Sequence, residues 1–186
     1  MKIGIVSDTH GRIDVWRKVE EAFADTDIII HAGDVLYHPP RLGCVEGYDI
    51  PAMADALNDS PTPIIIAQGN CDAQVYEELL DIPVQSPYAF VEFEGLRIVV
   101  NHGHLLKKKQ MIDLGKHYKA DVFVTGHTHV PMLERVDSLV LMNPGSPSIP
   151  KFEYNGRLIG SVGLITDTHF CIMSVDDGKI LFELAR

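Results

Sequence analysis

Short runs of branched apolar residues alternate with amphipathic stretches through the first two thirds of the chain. Ile3–Val6, Ile28–His31, Ile64–Ala67, Arg97–Asn101 and Val122–Thr125 have the length and Val/Ile content of strands buried on both faces. Between the first two runs, Val15, Trp16, Val19 and Phe23 recur at helical spacing, with Asp14 placed to cap the helix and Glu20 and Glu21 facing water. Ala52–Leu57, Val75–Leu80 and Met111–Tyr118 are further predicted helices. Strand–helix–strand alternation predicts a largely parallel sheet with right-handed crossovers. From about Tyr88 the texture changes. Tyr88–Glu94, Gly95–Asn101, Met132–Val136, Leu139–Asn143 and Phe170–Val175 read as strands joined by tight turns such as Glu94-Gly95 and Asp177-Gly178. The expected outcome is an α/β fold with a two-layered β-sandwich flanked by helices. Tyr37–Pro51, rich in Pro and Gly, has no period and is expected to be a surface loop, either a lid or a simple insertion.

Composition narrows the class. A chain of 186 residues, 46% hydrophobic and 23% charged, has the make-up of one globular domain, here expected to span residues 1–186. No apolar run approaches the roughly 18 residues of a membrane span. The N-terminal Met1-Lys2-Ile3-Gly4-Ile5-Val6 runs into Ser7-Asp8-Thr9-His10 without a cleavage site, which reads as the first strand of a cytoplasmic protein. Cys44, Cys71 and Cys171 are odd in number and far apart, so neither a disulfide framework nor a zinc knuckle is supported. A net charge of −10 argues against long nucleic acids and anionic membranes as partners. A small phosphorylated substrate stays compatible, because bound cations reverse the sign locally.

The candidate chemistry lies where the apolar runs end. Five segments share one layout of strand, metal-ligand residues and turn: Ile5 to Gly11, Ile30 to Asp34, Ile66 to Asp72, Val100 to His104 and Val124 to His129. The carboxyl ends of parallel strands line a common crevice, so these distant residues can converge. Taken singly, each has a plainer reading. Asp8-x-His10 after a strand is more often turn chemistry or a cap, Gly33-Asp34 is a common turn, and His127-Thr128-His129 could be two satisfied loop histidines. Their coincidence at five strand ends carries the weight. Two carboxylates (Asp8, Asp34), one amide oxygen (Asn70) and four imidazoles (His10, His102, His127, His129) form a mixed oxygen and nitrogen set without thiolate. Such a set favours Mn²⁺, Fe²⁺ or Zn²⁺, with Ni²⁺ a further candidate. Seven ligands exceed what one ion with an open position takes, and they suit two ions sharing a carboxylate.

In order, Asp8-x-His10, Gly33-Asp34, Gly69-Asn70-x-Asp72, His102-Gly103-His104 and Gly126-His127-Thr128-His129 resemble the signature of the calcineurin-like metallophosphoesterases. Within that superfamily, the short chain and the segments Gly69-Asn70-Cys71-Asp72 and Asn143-Pro144-Gly145-Ser146 are similar to the YfcE type of small bacterial phosphodiesterases. The likeness runs from Met1 to about Pro150 and is less specific in the C-terminal strands. It implies a four-layer αββα sandwich of mixed sheets, two metal ions with manganese foremost, and a homo-oligomer, dimer or tetramer. Position by position, it implies that Asp8, His10, Asp34 and His129 hold one ion. Asp34, Asn70, His102 and His127 would hold the other, with Asp34 bridging. Asp72 would stand behind the ligands and orient a histidine. The implied activity is hydrolysis of a small phosphodiester by a metal-bridging hydroxide, with His104 offsetting charge on the phosphoryl oxygens.

The chain departs from the pattern at Cys71, where many relatives carry the histidine that protonates the leaving group. One reading is that a small side chain suits a crowded site; the other is slow turnover with a preference for good leaving groups. His31 is expected to be a core histidine or one supporting the ligands, and His38, His117 and His169 structural or exposed. Lys107-Lys108-Lys109 reads as a solvated helix start or as an attraction for a distal phosphate. Ser146 and Ser148 lie after a Pro-Gly turn near the expected site floor and receive no role. Phosphomonoesterase or nuclease activity on the same site, or a weakly active metal-binding scaffold akin to the retromer-type subunit of this family, are the competing readings.

Overall fold

The computed structural model describes residues 1–37 and 45–186, so His38 and Cys44 lie outside the described residues. In chain order the elements are β1 (Lys2–Val6), α1 (Ile13–Ala22), β2 (Ile28–His31), α2 (Ile50–Asn58), β3 (Ile64–Ala67) and β4 (Val84–Gln85). Then come β5 (Ala89–Phe93), β6 (Leu96–Val100), α3 (Lys108–His117), β7 (Val122–Val124), β8 (Met132–Val136) and β9 (Leu139–Asn143). The chain closes with β10 (Glu153–Tyr154), β11 (Arg157–Leu158), β12 (Ser161–Thr166), β13 (His169–Ser174) and β14 (Ile180–Ala185).

Two sheets face each other, ordered β14-β13-β12-β1-β2-β3-β4 and β5-β6-β7-β9-β8. Alternation along the strands shows why. Ile3, Ile5, Ile28 and Ile30 of the first sheet, and Ile98, Val100, Val122, Val124, Val140 and Met142 of the second, share the core between the sheets. The residues between them point outward. Val6, Ile29 and Ile66 meet Trp16, Val19 and Phe23 of α1 and its C-cap, and Met53 and Leu57 of α2. Val99, Phe123 and Leu141 meet Met111, Ile112 and Leu114 of α3. The result is the four-layer αββα arrangement of mixed sheets.

Several local expectations change. The sheets are mixed rather than largely parallel: β1 to β4 run parallel, whereas β1–β12, β12–β13 and β13–β14 are antiparallel. The N-cap of α1 is Arg12, not Asp14, because the Ile13 amide is taken by Gly47 O at 2.8 Å and the helix starts two residues earlier. Asp14 sits in the first turn and pairs with Arg12. Val75–Leu80 forms no α-helix but a short 3₁₀ turn, Gln74–Glu78, confined between Asp72, which is tied to neighbouring loops, and Pro83. At the end of the expected loop, Ile50 and Pro51 already belong to α2, with Asp49 accepting from the Ala52 amide at 3.0 Å.

Register brings the strand ends level. Val6 pairs with His31, and His31 with Ile66; in the second sheet Val100 pairs with Val124, and Val124 with Met142. The loops after β1, β2 and β3 therefore leave one sheet beside the loops leaving β6 and β7 of the other.

Candidate metal centre

The loops make tight, strained turns at the residues that carry the chemistry. Asp8 (φ 57°), His10 (φ 48°), Asp34 (φ 58°), His127 (φ 66°) and His129 (φ 60°) all adopt the left-handed region. That conformation costs a residue with a side chain about 1–2 kcal/mol, so the surroundings must enforce it. They do so by backbone bonds between loops: Asp8 N to Gly33 O at 2.9 Å, His10 N to Asp34 O at 3.0 Å and Gly126 N to His102 O at 3.0 Å.

Each ring that points inward is oriented from behind. His10 Nδ1 lies 2.6 Å from Tyr37 O, His102 Nδ1 2.8 Å from Ala32 O, and His129 Nδ1 2.7 Å from Ile149 O. A carbonyl only accepts, so in each case Nδ1 carries a proton and Nε2 is the nitrogen turned toward the centre. The consequence is a knot of acceptors facing one another. His10 Nε2 is 3.3 Å from His129 Nε2, and His129 Nε2 is 3.2 Å from Asp8 Oδ1. Asp8 Oδ1 is buried and, among the described residues, has no hydrogen-bond partner. Buried lone pairs left facing each other are costly unless a cation or proton sits between them. The donor set therefore fits a bound metal ion on its own chemistry.

A second group adjoins the first. His102 Nε2 lies 3.3 Å from Asp34 Oδ2 and 3.1 Å from Asn70 Oδ1. Asp34 Oδ2 is also 3.9 Å from His10 Nε2, which puts this carboxylate between the two groups. Ligand atoms of Asp8, His10 and His129, and of Asp8, Asp34 and His102, fall within 4.8 Å of one another. The His127 ring is 5.3 Å from that of His102, while its amide donates to Asp8 Oδ2 at 2.9 Å. His104 is exposed at the rim, its ring 5.6 Å from His102 and 6.0 Å from His127. All seven expected ligands thus gather at one place, at the joint edge of two sheets rather than at one sheet. Sequence reasoning missed that Cys71 offers its sulfur to a third such group, with His10 and Asp34.

Burial opposes charge on the His102 ring, but the Asp34 and Asp8 carboxylates outweigh it and raise its pKa to about 8 in the metal-free protein. Burial would likewise raise Asp34, yet His102 holds its carboxyl well below the ordinary range. Burial pushes His10 down and keeps it neutral. For chelated protein the sign follows. The stabilisation from His102 is fully present below about 6.5, the ordinary histidine value, and is lost as pH rises through about 8. Denaturation in chelator is expected to show a loss of about 2 kcal/mol across that window. A flat profile would mean that Asp34 and His102 do not share this proton.

Among the described residues Asp72 bonds backbone amides rather than a histidine. Its Oδ2 accepts from the amides of Asp34 (2.8 Å) and Gly69 (2.7 Å), and its Oδ1 from the Val35 amide (2.8 Å), stitching the β2 loop to the β3 loop. It points at backbone because the parallel pairing of β2 and β3 sets those amides side by side. His31 is fully buried, as expected: its Nδ1 accepts from Gly33 N at 3.1 Å and its Nε2 meets Thr9 Oγ1 at 2.9 Å. Lys108 pairs with Glu134, His117 meets the Tyr118 ring edge-on, and His169 Nδ1 lies 2.9 Å from Thr168 Oγ1, all of which suits the plainer readings.

Among the described residues no helix is long and apolar enough to cross a membrane. Residues 1–162 match the calcineurin-like phosphoesterase superfamily domain. The chain is 34% identical to phosphodiesterase YfcE of Escherichia coli strain K12, over 100% of this chain and 98% of that protein. The solved structure of YfcE, described as a phosphoesterase from E. coli, superposes with a TM-score of 0.84 at 32% identity, covering 100% and 99% of the two chains. Vps29 of Entamoeba histolytica, solved in complex with zinc, shares the fold at 17% identity and a TM-score of 0.64, covering 100% and 99%. With its fold, its strand-end residues and these relatives in agreement, the chain belongs to the calcineurin-like phosphoesterase superfamily and is a phosphoesterase hydrolase.

Proposed function

We propose that this protein is a dinuclear, manganese-preferring phosphodiesterase acting on a small phosphodiester in the cytoplasm. The observation that carries the reading is the buried Asp8 Oδ1 with no hydrogen-bond partner among the described residues, ringed by the Nε2 atoms of His10, His102 and His129. Asp8, His10, Asp34 and His129 would hold one ion; Asp34, Asn70, His102 and His127 would hold the other. When bound, the two ions supply Lewis acidity toward the phosphoryl oxygens and acidify a shared water. The residues of the chain do the rest. Two carboxylates against two divalent ions leave about two positive charges to attract phosphate, in a protein whose net charge of −10 turns long polyanions away. His104, at the rim, can donate a hydrogen bond to a phosphoryl oxygen. Tyr37, whose carbonyl holds the His10 ring, borders the site.

The leaving group receives little help. Burial, reinforced by the Asp34 carboxylate, pushes the Cys71 thiol up to about 12 in the metal-free protein, and Asn70 donates to its sulfur at 3.2 Å. That value belongs to the metal-free state; a cation beside Asp34 would favour the thiolate, which has no proton to give, so a thiol here is a poor general acid in either state. Cys71→His is expected to raise turnover on diesters of poor leaving groups at least about tenfold, leaving activated aryl esters little changed. An unchanged or lower rate on the poor leaving groups would count against this assignment.

The function itself is tested by stripping the protein with chelator, restoring Mn²⁺, Zn²⁺ or Mg²⁺, and assaying bis(p-nitrophenyl) phosphate beside p-nitrophenyl phosphate. The expected result is hydrolysis highest with Mn²⁺ and faster on the diester. Tight metal uptake without hydrolysis would favour a scaffold, and faster monoester cleavage a phosphomonoesterase.

A further inference from the structure

We propose that Ser146 and Ser148 are positioning residues that set the geometry of one ion site and not the other, an inference that rests on the two-ion reading above. The segment from Asn143 to Ile149 lies behind the loops that carry Asp8, His10 and His129. Ser146 is fully buried; its Oγ donates to Asp8 O at 2.8 Å and accepts from the amides of Ile149 (2.9 Å) and Ser148 (3.2 Å). Ser148 Oγ donates to the next carbonyl, Thr9 O, at 2.7 Å. Two hydroxyls thus grip consecutive carbonyls of the strained turn that aims Asp8 and His10. The same segment controls His129, because Ile149 O accepts from its Nδ1 at 2.7 Å and the Lys151 amide bonds His129 O at 3.1 Å.

The grip is anchored at both ends. Asn143 ends β9 in the second sheet, and its Nδ2 donates to Gly126 O at 2.7 Å and lies 3.1 Å from Thr128 Oγ1. Its Oδ1 accepts from the Gly145 amide at 2.9 Å. From the first sheet, Ser161 at the start of β12 donates its hydroxyl to Pro144 O at 2.6 Å. The other half of the site has separate support: Asp72 ties the Asp34 and Gly69 amides, Cys71 N donates to Asp34 Oδ1 at 2.8 Å, and Ala32 O orients His102. One half rests on hydroxyls after β9, the other on a carboxylate after β3.

Groups that orient metal ligands typically change metal affinity 10–100-fold when removed. Because the supports are separate, the loss should fall on one site alone. Manganese binding by full-length protein, followed by isothermal titration with Mn²⁺ electron paramagnetic resonance, tests this. Wild type is expected to take up two ions with a spin-coupled signal. Ser148→Ala, at a half-buried position, should weaken one ion about tenfold, leave the other within about twofold and yield an uncoupled signal at substoichiometric loading. Ser148→Thr, which keeps the hydroxyl, should restore the coupled pair, a rescue that loss of packing would not give. Ser146→Ala should act in the same direction and more strongly; should it not fold, the Ser148 pair decides. Equal weakening of both ions, or no change in Ser148→Ala, overturns the proposal while leaving the two-ion reading intact. A wild type that binds fewer than two ions contradicts the two-ion reading itself and the proposal with it.

Discussion

Asp34→Asn is expected to lower phosphodiesterase turnover at least about 10³-fold while the protein remains folded. The substitution keeps shape and one acceptor: the amide oxygen can still receive the Cys71 N–H that reaches Asp34 Oδ1 at 2.8 Å. What changes is the other atom. Asp34 Oδ2, 3.3 Å from His102 Nε2 and 3.9 Å from His10 Nε2, becomes an NH₂ that donates where a cation should sit. Both groups of ligands lose their shared anion together, so both ions weaken, and the metal-free protein also loses the partner that raises His102. Unfolding in chelator should shift by only about 1–2 kcal/mol, which separates loss of catalysis from loss of fold. A fully active Asp34→Asn protein refutes the bridging role.

Gly126→Ala is expected to cost about 3 kcal/mol or more in stability and to abolish activity. A Cβ at position 126 would stand 1.9 Å from Ser7 Oγ and 2.8 Å from Asp8 Oδ2. Neither can retreat freely: Ser7 is fully buried, and Asp8 Oδ2 receives the His127 amide at 2.9 Å. The β1 and β7 loops, one from each sheet, would be pushed apart where the ligands converge. Gly95→Ala is the control. Its added Cβ meets nothing within 4 Å, and the cost reduces to placing a side chain at φ +79°, about 1 kcal/mol. Equal melting losses for the two variants would mean that the close approach at Gly126 does not matter.

The parts of this molecule that could be read along the chain are those whose causes are local. Branched runs ending in Asp8, Asp34, Asn70, His102 and His127 announce strand ends carrying ligands, and the structure groups Asp8, Asp34 and His102, with Asn70 and His127 beside His102. Which sheet each strand joins is a question of pairing that period-two patterns do not encode, so β6 and β7 were not distinguishable from β1 to β3. β12 went unread because Ser161 and Gly163 interrupt its apolar run, and β14 because Glu183 does the same. The start of α1 is decided by Gly47, more than thirty residues away in sequence. Asp72 and Ser146 bind backbone atoms of distant loops, and amides and carbonyls leave no mark in a sequence; the short Asn143-Pro144-Gly145-Ser146 stretch was the available signal.

The most direct test is anomalous diffraction from crystals of the manganese-loaded protein. The account predicts two peaks about 3.5–4 Å apart on either side of Asp34 Oδ2, one contacted by Asp8, His10 and His129 and the other by Asn70, His102 and His127. A lone peak, or a pair that leaves Asp34 uncoordinated, would contradict it.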